Sequence, residues 1–153
     1  MNPPIEQAVF DRMVTIRRDL HEHPELSWQE HRTIEKVCLE LDRLGLSYRT
    51  GVGKMGIVAE IPGPKGVPAV ALRGDMDALP IREETGLPFT SKNPGVMHAC
   101  GHDGHTSMIL GAAALLLNEE LPAPVRLIFQ PAEEHGAGAK EMVEDGALDG
   151  VGM

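Results

Sequence analysis

The sequence predicts an α/β protein, a three-layer α/β/α arrangement whose mostly parallel sheet is covered by helices on both faces. Three observations carry that prediction. Short apolar, strand-like runs alternate with helical stretches along the chain, the order that builds parallel sheets. One helical stretch, residues 106–117, is apolar on nearly every side, as a helix buried between layers is. Carboxylates stand just beyond two of the strand-like runs, where open α/β sheets gather their sites. With 153 residues, the chain amounts to one domain and can bury roughly 70% of its unfolded surface. Aromatic residues make up only 3%, so the core has to come from Leu, Val, Ile, Ala and Met.

The elements follow in order. Val9, Met13, Ile16 and Leu20 recur at helical spacing over residues 6–20, and Pro24 discourages continuation. Ser27 with Glu30 three residues on reads as a capping box, and the stripe Ile34, Val37, Leu41 and Leu44 that follows is ended by Gly45. Residues 48–50 and 56–61 read as strands, 62–66 as a Pro/Gly turn and 68–72 as a strand again, so a hairpin or meander is expected there. That last run leads into Arg73-Gly74-Asp75-Met76-Asp77, placing two carboxylates past its end. Residues 80–97 read as a surface loop. After the buried helix, 124–129 is a strand that delivers Gln130-Pro131-Ala132-Glu133-Glu134, and 136–145 reads as the last helix.

A net charge of −9 with no basic block disfavours nucleic acid and anionic membrane as partners. The opening Met1-Asn2-Pro3-Pro4-Ile5-Glu6-Gln7 lacks the basic and apolar regions of an export signal, and the longest apolar run is too short to span a bilayer. Cys38 and Cys100 make no disulfide framework. The expected compartment is the cytoplasm.

The chemistry centres on Met97-His98-Ala99-Cys100-Gly101-His102-Asp103-Gly104-His105, which packs a thiol, three imidazoles and a carboxylate into nine residues. Cys100 and His102, two apart, face the same side if the segment is extended. A hydrolytic metal site needs N, S or O ligands, an open position for water and a base. Cys100 and His102 offer ligands, while Glu133 and Glu134 offer one carboxylate to the metal and one to act as base. Each piece alone has a plainer account: Cys100 as a small buried hydrophobe, the Asp75/Asp77 pair as a cap or solvated loop, the Glu pair as helix N-terminal charge. His98 and His105 fit supporting roles, His21 and His23 fit surface pairing, His135 falls beside the Glu pair, and Cys38 fits the core. The joint pattern at strand ends favours the functional reading.

Three motifs, Arg73-Gly74-Asp75-Met76-Asp77-Ala78-Leu79-Pro80, residues 97–105 and Phe129-Gln130-Pro131-Ala132-Glu133-Glu134, closely resemble the metal-dependent amidohydrolases of the hippurate hydrolase, N-acyl-amino-acid amidohydrolase and auxin-conjugate hydrolase type. These belong to the aminoacylase and carboxypeptidase group of dinuclear metallopeptidases, which have a phosphorylase/hydrolase-like catalytic fold. The opening Leu20-His21-Glu22-His23-Pro24-Glu25-Leu26-Ser27 is also similar to that family's start.

The resemblance implies Cys100, His102 and Glu134 as metal ligands, with Cys100 a candidate bridge between two divalent ions (zinc, manganese, cobalt or nickel). It implies Glu133 as general base and Asp77 as the carboxylate that orients the site. Asp75 stands where related peptidases place a ligand histidine. The implied substrate is a small N-acyl or N-aroyl amino acid such as hippurate, and the implied full-length assembly is a homo-oligomer. Residues 1–153 would form the N-terminal portion of the catalytic domain. The lid and dimerisation domain, the later strands and two ligand histidines would lie beyond it, leaving the chain alone weakly active or inactive. The alternative expectation is a non-catalytic metal-binding or interaction fragment.

Overall fold

Apolar periodicity and turn residues produce eight elements among the described residues, which in this computed structural model are residues 6–153. They are α1 (Gln7–Glu22), α2 (His31–Leu44), β1 (Ser47–Val52), β2 (Gly56–Ile61), β3 (Val70–Asp75), α3 (His102–Leu116), β4 (Val125–Gln130) and α4 (Gly138–Glu144). The export-signal reading falls largely on residues 1–5, outside the described residues.

Helix α1 buries Ile16 and Leu20 and stops at His23, whose N–H returns to the Leu20 carbonyl just before Pro24. Helix α2 ends as expected at Gly45, left-handed at φ 70°. Its start corrects the sequence reading. Ser27 and Glu30 form no capping box, and the helix begins at His31. The first-turn amides of Arg32 and Thr33 are instead satisfied by the Glu25 carboxylate, at 3.0 and 2.8 Å.

The strand order is β1-β2-β4-β3. The sheet is mixed rather than mostly parallel: β1/β2 and β2/β4 are antiparallel, and only β3/β4 is parallel. Connection length explains the difference. Parallel neighbours need a long crossover, and only β3 to β4 is joined through a helix, α3. The hairpin also lies elsewhere than expected, since β1 pairs with β2 while β2 and β3 are separated by β4. Strand β3 runs on to Asp75, which therefore closes the strand, and Asp77 is the carboxylate that lies past it.

Alternation along the strands sends side chains to two cores. Ile57, Ala59, Ile61, Val125, Leu127 and Phe129 meet Ile16, Leu20, Val37, Leu41, Ile109 and Leu110 of the three long helices. Val58 and Ile128 face Val52, Met142 and Ala147 on the α4 side. Helices thus cover both faces, the three-layer α/β/α arrangement the sequence implied. Gly74 lets α3 approach β3 closely, because a Cβ there would lie 3.0 Å from Ile109 Cγ1 and 3.1 Å from the His105 backbone. Among the described residues, no helix is long and apolar enough to cross a membrane.

Candidate metal centre

Three segments converge at one end of the β3/β4 pair: the residues after β3, the turn into α3 and the turn after β4. Gly101, left-handed at φ 84°, is the N-cap of α3, so His102 is the first residue of that helix. The helix thus starts earlier than apolar periodicity suggested. Cys100 and His102 converge through the Gly101 turn and not along an extended segment.

The His102 ring is fixed from behind. Its Nδ1 donates to the Asp77 carbonyl at 2.8 Å and lies 3.3 Å from Asp77 Oδ1. Its Nε2 is thereby left with a free lone pair, and it faces Asp75 Oδ1 at 3.6 Å, Glu134 Oε1 at 3.8 Å and Glu133 Oε2 at 3.9 Å. These separations exceed hydrogen-bonding reach. An imidazole anchored through one nitrogen to a carbonyl or carboxylate, with the other nitrogen free, is the usual posture of a metal-binding histidine.

Asp77, 1% exposed, organises the surrounding backbone. Its Oδ1 accepts from Glu133 N at 3.0 Å, and its Oδ2 accepts from Glu134 N at 3.1 Å and Ser27 Oγ at 2.6 Å. Ser27 Oγ in turn accepts from His135 Nδ1 at 2.9 Å. Burial alone would raise the Asp77 pKa, but the bonds from His102, Ser27 and the two amides outweigh it and hold the carboxyl down at about 2. His102 moves the other way. Burial opposes its protonation, yet the Asp77 hydrogen bond and the charges of Asp75 and Asp77 raise its pKa.

Two groups of donors bring their ligand atoms within 4.8 Å of one another: Cys100, His102 and Glu134, and Asp75, His102 and His105. The second group is already closed internally, with His105 Nδ1 at 2.7 Å from Asp75 Oδ1 and Arg73 Nη1 at 2.7 Å from Asp75 Oδ2. The first is open. Glu134 Oε1 is buried without a hydrogen-bond partner among the described residues. Cys100 is exposed, not the small buried hydrophobe of the plainer account. Its thiol is held above its ordinary pKa by desolvation first, then by the adjacent Glu134 side chain and the charges of Glu134, Glu133 and Asp75. A thiol, an imidazole and an orphan carboxylate oxygen among the carboxylates of Asp75, Asp77 and Glu133 fit a divalent borderline cation, which would offset that negative charge and deprotonate the thiol.

The structure therefore brings together Cys100, His102, Glu133, Glu134, Asp75 and Asp77, the residues singled out in the sequence. Several neighbours are placed otherwise than the sequence suggested or were not singled out in it. His21 is buried, with Nδ1 2.7 Å from Asp103 Oδ2 and Nε2 3.1 Å from Glu83 Oε1, so it is no surface residue. Arg17 pairs with the same Asp103 oxygen at 2.8 Å. His98 is 4% exposed, has no partner for either ring nitrogen among the described residues, and is pushed by burial down to about 4. His21 and Ser27 lie inside the family-like opening segment, the one signal that could have drawn them in.

Residues 71–152 match the profile of Peptidase family M20/M25/M40. The chain is 49% identical over 152 residues to an N-acetyl-L-cysteine deacetylase of Bacillus subtilis, covering 98% of this chain and 36% of that protein. It is 54% identical over 145 residues to the IAA-amino acid hydrolase ILR1-like 5 of Arabidopsis thaliana, covering 94% of this chain and 33% of that one. The structure superposes on the Bacillus subtilis protein YXEP, described as a dinuclear metal-binding peptidase of the M20 family, with a TM-score of 0.90 and 49% identity. That superposition covers 95% of this chain and 42% of the other. The chain thus spans about a third of the length of these curated relatives.

Proposed function

Because the chain belongs to peptidase family M20/M25/M40, we propose that residues 1–153 form the N-terminal portion of a metal-dependent amidohydrolase that cleaves the amide bond of N-acyl or N-aroyl amino acids. The observation that carries this reading is the open donor set: Cys100, His102 and Glu134 converge, and Glu134 keeps a buried oxygen unpartnered. The relatives point to the same substrate class. The names of two of them specify an N-acetylated cysteine and an IAA–amino acid conjugate, both amino acids acylated on nitrogen, and hippurate belongs to that chemical class. Cytoplasmic residence and self-association of the full-length protein belong to the same proposal.

Cys100, His102 and Glu134 would hold the cation, with further donors supplied by the part of the relatives' length that this chain does not span. Two bound divalent ions, of zinc, manganese, cobalt or nickel, would supply Lewis acidity to the amide carbonyl and lower the pKa of the attacking water. Glu133 is free for proton transfer, because its amide is tied to Asp77 while its carboxylate stays partly exposed beside His102 Nε2. It takes a proton from the water as oxygen bonds to the carbonyl carbon. It then gives that proton to the nitrogen as the carbon–nitrogen bond breaks, leaving a carboxylic acid and a free amino acid. Asp77 keeps both the His102 ring and the Glu133–Glu134 backbone in place throughout.

The test uses the full-length protein with manganese or zinc, assayed on hippurate and N-acetyl-L-cysteine. Glu133→Gln is expected to retain cobalt(II) binding while turnover falls about 10²- to 10⁴-fold. Near-wild-type turnover in that variant sinks the base assignment. Stoichiometric metal with no hydrolysis of any N-acyl amino acid by the wild type sinks the enzyme reading and supports a non-catalytic metal-binding protein.

A further inference from the structure

Glu30 is fully buried, at 0% exposed, and lies outside the donor set. Its carboxylate does not cap α2. Instead Oε1 reaches across to accept from Ala132 N at 2.8 Å, and Oε2 has no partner among the described residues. A carboxyl is a costly space-filler here, since Met would occupy similar volume without desolvating an oxygen.

The residue it grips is itself unusual. Ala132 sits at φ 48°, in the left-handed region. A residue with a Cβ stays there only where its surroundings hold it. The Ala132 carbonyl is taken by Gly138 N at 3.3 Å, and the next two amides, of Glu133 and Glu134, end on Asp77. Three consecutive N–H groups of the turn after β4 therefore terminate on two buried carboxylates, one preceding α2 and one following β3.

We infer that Glu30 is a positioning residue: by holding the Ala132 amide it keeps this turn in the left-handed conformation that presents Glu133 and Glu134 to the donor set. Its link to metal binding and turnover rests on the hydrolase reading, whereas its effect on the turn does not. Only an acceptor with the reach of Glu or Gln satisfies the contact; Asp is one methylene short.

Amide hydrogen exchange and cobalt(II) titration, read through the thiolate-to-cobalt absorption of Cys100, test this on wild type, E30M, E30Q and E30M/A132G. In E30M the amides of Ala132, Glu133 and Glu134 are expected to exchange about tenfold faster or more, while Ile57 and Leu127 in the sheet keep their rates. Cobalt affinity is expected to fall about 10- to 100-fold. E30Q, whose amide oxygen still accepts, is expected to stay close to wild type on both readouts. Glycine adopts φ 48° without a Cβ penalty, so A132G in the E30M background is expected to recover most of the lost affinity. A merely space-filling role for Glu30 would gain nothing from that second change.

Unchanged exchange at residues 132–134 in E30M overturns the inference, as does uniform loss of protection across the sheet that A132G does not rescue. Should E30M fail to fold, E30D replaces it with the same expected outcomes. If the wild type takes up no cobalt, the metal reading fails, and exchange alone still decides the role of Glu30.

Discussion

At Asp77 four donors meet one buried residue: Ser27 Oγ, the amides of Glu133 and Glu134, and the His102 ring. An asparagine there offers one acceptor oxygen where two are in use, so one of the paired amides loses its partner. Asp77→Asn is therefore expected to cost about 1–3 kcal/mol in chemical denaturation. It is also expected to weaken cobalt binding about 10- to 100-fold, measured by titration. Wild-type affinity in that variant would show that the His102 ring needs only the Asp77 carbonyl. At this scale the candidate ligands were legible because Cys100 and His102 are scarce residue types set close together in sequence. Their supports were not legible. Ser27 meets Asp77 across 50 positions, and Glu30 meets Ala132 across 102. Neither residue type is unusual where it stands, and Glu30 sits where a capping residue would.

The element that presents the Glu pair is the turn from β4 into α4, and it has no spare room. A Cβ on Gly138 would lie 1.7 Å from the Pro131 carbonyl oxygen, a backbone atom that cannot swing aside. Gly138→Ala is accordingly expected to cost about 1–3 kcal/mol, as overpacking does, and to slow turnover through displacement of Glu133. Thermal unfolding with a parallel hippurate assay checks both, and a stable, fully active variant would show that the turn relocates without harm. Helices and strands themselves were legible from period and punctuation, with ends displaced by a few residues. The true start of α3 was hidden because Gly101 caps it conformationally, before the apolar pattern begins. The capping box was a false reading because Ser27 found a better acceptor in Asp77, leaving Glu25 to satisfy the first turn of α2.

For the molecule as a whole, a cation held by Cys100, His102 and Glu134 would tie the turn into α3 to the turn after β4. Cobalt(II) at about one hundred times its dissociation constant is expected to add about 2.7 kcal/mol to stability. The thermal midpoint should rise with free cobalt and return to its starting value on chelation. A midpoint indifferent to cobalt would mean that the folded chain gains nothing from the ion. The α/β class and the layering followed from the alternation of elements, but strand order did not, because periodicity says which face of a strand is apolar and nothing about which strand lies beside it.

The place of β4 between β2 and β3 also bears on how the protein is made. Synthesis delivers β2 and β3 early, yet neither is a partner for the other, and the strand that joins them is not complete until Gln130 emerges. During that interval two apolar strands wait with open backbone edges, the condition under which nascent chains associate wrongly. Sheet formation depends on contacts distant in sequence, so it is expected to be the slow, late step of folding. The hairpin of β1 and β2, by contrast, can form as soon as both strands are free.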